Sequence, residues 1–284
     1  MPAETRASTS RQQDNFVLSR TVRDTARMLD ATHGNSFGDL YRLAPPSRPY
    51  MDELGTRKKP LRIGVMTSMP DGSKLHHEAQ KGLDRTVSKL TDMGHHIEES
   101  YPTALEKEDR HGLVFQKFTA LFSRVVLLEL ESILGRPVTR EDVAFFTWES
   151  AEWGTEPANA IDVLGAMASQ QAWSVDVLEW WQRGYDLLLT PTTPVPPWIN
   201  AEHTPPVRDV EAILQDIFDL VTFTTPFNIT GQPAISLPLH MTADGLPFGM
   251  QFVADMGRED LLIQVAAQLE EAIPWHRRVP PHHA

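Results

Sequence analysis

The sequence contains no cysteine. Disulfides, thiolate metal sites and a cysteine nucleophile are therefore excluded, and the composition fits a reducing compartment such as the cytoplasm. Cations are scarce: 26 lysines and arginines face 38 aspartates and glutamates, for a formal net charge of −12. Nucleic-acid binders draw their affinity from clustered Lys and Arg, so no nucleic-acid partner is expected. The one basic run, Arg57-Lys58-Lys59 ahead of Pro60, reads as a solvated loop. Long apolar runs are missing too. None approaches the roughly 18 residues that a membrane helix needs. The polar N-terminus, MPAETRASTSRQQDN, lacks the apolar segment of a signal peptide. The chain reads as soluble and cytoplasmic, with no membrane partner.

What is present suffices for a core. A chain of 284 residues, 41% of them apolar, can form one large domain or two smaller ones. Residues 1–15 carry little that could offset the entropy of ordering and read as a disordered tail, as does the segment 276–284. Val22, Ala26 and Leu29 fall at helical spacing, with Gly34 shortly past the expected end. The proline-rich segment 42–60 reads as an extended surface loop.

The clearest unit spans 61–100. Leu61, Ile63 and Val65 alternate as in a strand with one buried face. Leu75, Ala79, Leu83, Val87, Leu90 and Met93 then recur every three or four residues, and Gly94 is placed to end that helix in a left-handed turn. His96-Ile97-Glu98 resumes as a short strand. Strand, long helix, strand is the pattern of a βαβ unit and implies parallel neighbours.

Two more long helices are expected at 110–134 and 160–183, with the aromatic segment FFTWE (145–149) between them as less regular chain. Asp186–Thr190 reads as a buried strand, and the prolines of "PTTPVPPWI" keep the following segment out of helix or central strand. A helix near 209–221 precedes two strands, Ala234–Leu237 and Phe248–Ala254, joined through the Asp-Gly turn at 244–245. An amphipathic helix over Glu259–Ala272 closes the pattern. Alternation of this kind indicates an α/β domain with a mixed sheet core flanked by helices.

Three stretches carry a family resemblance: "VLSRTVRDTARMLD" (17–30), "LLLTPTTPVPP" (187–197) and "PFNITGQPAISLPLHMTADGLPFGMQFVADMGREDLLIQVAAQLE" (226–270). They resemble the amidase signature family of serine amide hydrolases. "LDATHGNSFGDLYRLAPPSRPYMDEL" (29–54) is similar to its branch related to 6-aminohexanoate-cyclic-dimer hydrolase. The resemblance covers about 16–275. It implies an amidase fold and hydrolysis of a carboxamide C–N bond, with no cofactor.

The family works with a nucleophilic Ser, a second Ser and a Lys, all ahead of the segment that Val17–Asp30 resembles. Only sixteen residues stand there, and "MPAETRASTSRQQDNF" has no glycine, so Ser8 and Ser10 are serines in composition only. No catalytic residue carries over. The resemblance implies the C-terminal part of an amidase, truncated and inactive by itself. Two alternatives stay open: a non-catalytic binding module, and one half of a split amidase. An incomplete sheet would leave open edges and apolar faces, so a homo-oligomer or a partner chain bearing the missing part is expected, with a small amide as ligand.

Other chemistry finds little support. "GNSFG" (34–38) matches a nucleophile-elbow pattern around Ser36, but a helix precedes it where a strand is required. Ser73 beside Lys74 reads as a helix N-cap, because adjacent residues on a helix diverge. His76-His77-Glu78 and His95-His96 lack the i, i+4 spacing of a helical zinc site, and no metal is expected. The stripe Phe118, Leu121, Phe122, Val125 reads as helical core, and Asn228 as a residue bonding its own turn. In the family, helices of this half help line the acyl pocket, so Leu121, Trp148 and Phe227 are the candidate substrate-contacting residues.

Overall fold

A computed structural model describes residues 16–35, 37, 42–55, 59–106, 110–153, 160–199 and 210–279. The readings placed on residues 1–15, Ser36, Arg57, Lys58 and 280–284 lie outside these. The described elements run α1 (Val22–Thr32), β1 (Arg62–Val65), α2 (His77–Asp92), β2 (His96–Glu99), α3 (Arg110–Leu134), α4 (Phe145–Trp153), α5 (Ala160–Leu178), β3 (Leu187–Pro191), α6 (Val210–Leu220), α7 (Thr225–Thr230), β4 (Ala234–Met241), β5 (Pro247–Ala254) and α8 (Glu259–Ala272). The fold is α/β, with helices around a mixed five-stranded sheet.

The sheet order is β2-β1-β3-β5-β4. β1 pairs in parallel with β2, as the βαβ pattern requires, and in parallel with β3 on its other side. β3 then pairs antiparallel with β5, and β5 with β4. β3 is central and buried at all five positions, which explains its unbroken apolar run. Gly94 and Gly245 take the left-handed conformations expected of them, with φ of 89° and 80°. Gly245 closes the β4–β5 hairpin, and the hydroxyl of Thr242 accepts from the Leu246 N–H at 3.0 Å.

One apolar cluster joins both faces of the sheet to the helices around it. Ala79, Leu83 and Leu90 of α2, Leu187–Leu189 of β3, Met250 and Phe252 of β5, and Val265 and Ala266 of α8 all lie within it. A smaller cluster of Leu127, Val138 and Ala151 holds α3 against α4. α1 starts at Thr21, whose hydroxyl accepts from the Asp24 N–H at 3.1 Å. Glu270 of α8 accepts from the Val22 N–H at 3.2 Å, so α8 satisfies a second exposed donor of α1.

Five local expectations are corrected. FFTWE is part of α4, because Trp148 and Ala151 find an apolar partner in α3 that local sequence does not reveal. The segment 42–60 contains a short 3-10 turn, Tyr50–Glu53, whose Tyr50 and Glu53 are buried and whose first N–H groups both donate to Asp30. Ser73 does not cap α2. Residues 69–73 form their own turn, with the Ser73 N–H donating to Asp71, and the chain stays extended until His76, whose Nδ1 accepts from the Glu78 N–H at 3.2 Å. The α3 stripe is not core: Phe122 and Val125 are exposed, and Ala120, Ser123 and Leu127 are buried among the side chains described on this helix. Residues 276–278, expected in a tail, are held by Arg20, which donates to the carbonyls of His276 and Arg278 at 3.1 Å.

Candidate functional site

Where β3, β5 and β4 run side by side, one face of the sheet carries a row of hydroxyl and amide groups. Strand alternation places Thr190 of β3 opposite Gln251 of β5, and Gln251 opposite Ser236 of β4. Gln251 and Thr190 are buried. Gln251 Nε2 donates to the Phe223 carbonyl at 2.7 Å and to Thr190 Oγ1 at 3.2 Å, and the Thr190 hydroxyl donates to the Pro191 carbonyl at 2.8 Å. This chain of bonds fixes the segment before α7 onto the end of β3.

Just past β3, Thr192 Oγ1 lies 2.6 Å from Ser236 Oγ, a bond that reaches from β3 to β4 across β5. It crosses at Gly249. A Cβ there would lie 2.6 Å from Ser236 Oγ and 2.7 Å from Thr192 Oγ1, so only glycine leaves room for the bridge. Ser236 is exposed and Thr192 half-buried. Among the described residues, neither hydroxyl is hydrogen-bonded to a lysine, histidine or carboxylate. A serine without such a base is a weak nucleophile. The pair is suited to hydrogen bonding with a ligand or a neighbouring backbone, not to attack on a carbonyl.

The helix α7 flanks this row. Pro226 stands in its first turn, Gly231 ends it at φ 75°, and the Gln232 side chain donates to the Ala254 carbonyl at 3.0 Å to tie it to β5. Phe227 on α7 is only 3% exposed and belongs to the main core. Leu121 on α3 is half-buried. Trp148 on α4, also half-buried, packs against the smaller cluster. Phe227 and Trp148 thus lie in different apolar clusters. Asn228 is half-buried within α7 rather than in an open turn.

The histidine pairs resolve into separate roles. His76 caps α2, His95 Nδ1 accepts from the Leu61 N–H at 3.1 Å, and His77 lies exposed with its Nε2 3.2 Å from Glu78. Buried Glu78 also meets Lys81 at 2.7 Å and His240 at 2.7 Å. The Lys81 ammonium first, then His240, holds the Glu78 carboxyl down at about 2. Among the described residues, no group of three or more His, Asp or Glu could hold a metal ion. No helix of the described residues is long and apolar enough to cross a membrane.

Thr190, Thr192, Ser236 and Gln251 were not legible as a group in the sequence. Their only local signal is the polar position within each strand, and it takes the register of three strands to bring them together.

The fold has relatives among known proteins. The 6-aminohexanoate-cyclic-dimer hydrolase of Paenarthrobacter ureafaciens is 37% identical over 278 residues, covering 93% of this chain and 54% of that protein. A solved structure of 6-aminohexanoate cyclic dimer hydrolase superposes with a TM-score of 0.85 at 34% identity, over 93% of this chain and 55% of that one. A bacterial aryl acylamidase of the amidase signature family shares the fold, with a TM-score of 0.74 at 20% identity over 90% of this chain and 52% of that one. The chain therefore spans about half the length of the relatives it matches. A family model described as amidase matches residues 5–263. The chain belongs to the amidase signature family.

Proposed function

We propose that this polypeptide forms the non-nucleophilic half of a carboxamide hydrolase, and that its 284 residues alone do not cleave amides. The observation that carries the reading is the similarity to a 6-aminohexanoate-cyclic-dimer hydrolase along 93% of the chain, joined to a Ser236 hydroxyl whose described hydrogen-bond partner is Thr192 and not a base. In this reading the attacking Ser and its Lys come from further polypeptide. The face bearing Thr192 and Ser236 supplies hydrogen bonds to that polypeptide or to the bound amide. Leu121 and Trp148 line the acyl side, while Phe227 holds α7 in place. The setting is the cytoplasm, consistent with the lack of cysteine.

The test is hydrolysis by the purified chain of a cyclic 6-aminohexanoate dimer and a simple anilide. No turnover from a folded chain is the expected result. Turnover abolished by Ser36→Ala, Ser73→Ala or Ser236→Ala would overturn the reading, because it would reveal a serine site within this sequence.

The alternative of a binding module has one supporting observation, the hydroxyl pair Thr192–Ser236 on an accessible face. Calorimetry with the cyclic dimer distinguishes it: binding without turnover, weakened by Ser236→Ala, supports a non-catalytic amide-binding role.

A further inference from the structure

The helix α5 presents an uncharged stripe to water. Ile161 is 80% exposed, Leu164 65% and Val175 48%. From 161 to 172 none of its residues is buried, although the stretch reads IDVLGAMASQQA. A helix with so few charged residues normally lies inside a protein. Ile161, Leu164, Ala168, Gln171 and Val175 follow one another at alternating steps of three and four, so they share one face. That is the spacing of a helix packed lengthwise on another helix. All five are exposed, and none is charged in a chain of net charge −12. An exposed run of this kind marks an interface rather than a solvated surface.

The order of large and small residues indicates what fits. A second α5, antiparallel and related by a two-fold axis at Ala168, would set residues equidistant from the axis opposite each other. Ile161 and Val175 each lie seven positions from Ala168, so Ile161 would meet Val175 of the second copy. Leu164 and Ala172 each lie four positions away, and Gly165 and Gln171 three. Leu164 would then meet an alanine and Gln171 a glycine. Ala168 would meet itself, so small groups at the centre let the helices approach while larger ones fill the ends. No charged residue of the stripe opposes its own copy.

We infer that α5 is the contact helix of a two-fold dimer of this chain, with Ala168 on the axis. The neighbouring helix supports the same occupant. α3 packs beside α5 and leaves Phe122, Val125 and Leu128 exposed. A second copy seated on the stripe and on these three side chains covers on the order of 800 Å² of each copy, the size per partner of a specific, stable interface. The dimer stands independently of any amide chemistry.

Sedimentation of the full chain over a concentration series tests the dimer. A reversible dimer is expected. The double variant Ile161→Glu, Leu164→Glu alters only exposed positions and should weaken it by about tenfold or more. Met28→Glu, at an exposed apolar site on α1, should leave it unchanged. The lack of native cysteine allows a second test that keeps the stripe uncharged. Ala168→Cys should cross-link to a covalent dimer under mild oxidation, because the two thiols would meet on the axis. Thr91→Cys, exposed on α2, should cross-link far more slowly. A folded chain that stays monomeric throughout overturns the inference and assigns the stripe to another occupant. So does a dimer that survives the double glutamate variant, or one in which Ala168→Cys cross-links no faster than Thr91→Cys, since either places the contact elsewhere.

Discussion

The carboxylate of Glu78 on α2 lies 2.7 Å from the imidazole Nε2 of His240 on β4, across 162 positions of sequence. Both groups are buried, and Lys81 completes the charge balance. The contact fastens the helix to the outer strand of the sheet. The folded-state pKa of Glu78, about 2, lies below its ordinary 4.5. A depressed carboxyl pKa contributes stability that is complete above the ordinary value and is lost as pH falls toward the folded one. Urea midpoints measured from pH 7 downward should therefore decline between about 4.5 and about 2. Glu78→Gln should be less stable at pH 7 and decline less steeply in that window. An equally steep decline in the variant would show that Glu78 is not responsible.

Gly249 is the crossing point of the Thr192–Ser236 bridge. Gly249→Ala forces a methyl against both hydroxyls and should destabilise by about 1–3 kcal/mol, in the range of overpacking. Ser236→Ala in the same chain removes one of the two clashes and should restore part of that loss. A double-mutant cycle by denaturation measures the coupling, and strict additivity would rule out the bridge.

Phe227 and Leu121 should separate in their effect on stability. Phe227 is enclosed by the main core, so Phe227→Ala should cost about 3–5 kcal/mol. Leu121 is half-buried, and Leu121→Ala should cost about 1 kcal/mol. Chemical denaturation reads both. Comparable losses would place Leu121 in a core contact.

Asp30 caps the 3-10 turn at Tyr50 with two hydrogen bonds, at 2.6 Å and 3.0 Å. Asp30→Ala leaves both N–H groups without that acceptor and should cost about 1–2 kcal/mol. The loss should appear in the melting temperature, with Asp30→Asn recovering part of it. A neutral Asp30→Ala would mean that water replaces the carboxylate at no cost.

Regular elements were legible where periodicity ran long enough. The reading of α3 as 110–134 and of α8 as 259–272 matches the structure, because each holds a repeating pattern over several turns. The βαβ unit was legible because its helix and its Gly94 turn are local signals. α7 was missed: six residues, one of them proline, are too short to show a period. The cap of α2 was misplaced because Ser73 is a good cap by type, and only the turn at 69–73 shows it is already committed to another bond arrangement. The α3 stripe has the spacing of a core face, and spacing alone does not say whether a partner covers it. The hydroxyl and amide row depends on which strands become neighbours, which no single segment specifies.

β3 stands in the middle of the sheet, yet its link to β1 joins distant parts of the chain: the Arg62 N–H donates to Asp186, 124 positions later. Contacts of such separation slow folding, because a long loop must close before they form. The β1–α2–β2 unit and the β4–β5 hairpin each assemble from nearby sequence. Within the sheet, neither can join the other until β3 arrives between them. During synthesis, therefore, β1 emerges well over a hundred residues ahead of its central neighbour, and its free side is exposed to wrong pairings for that interval.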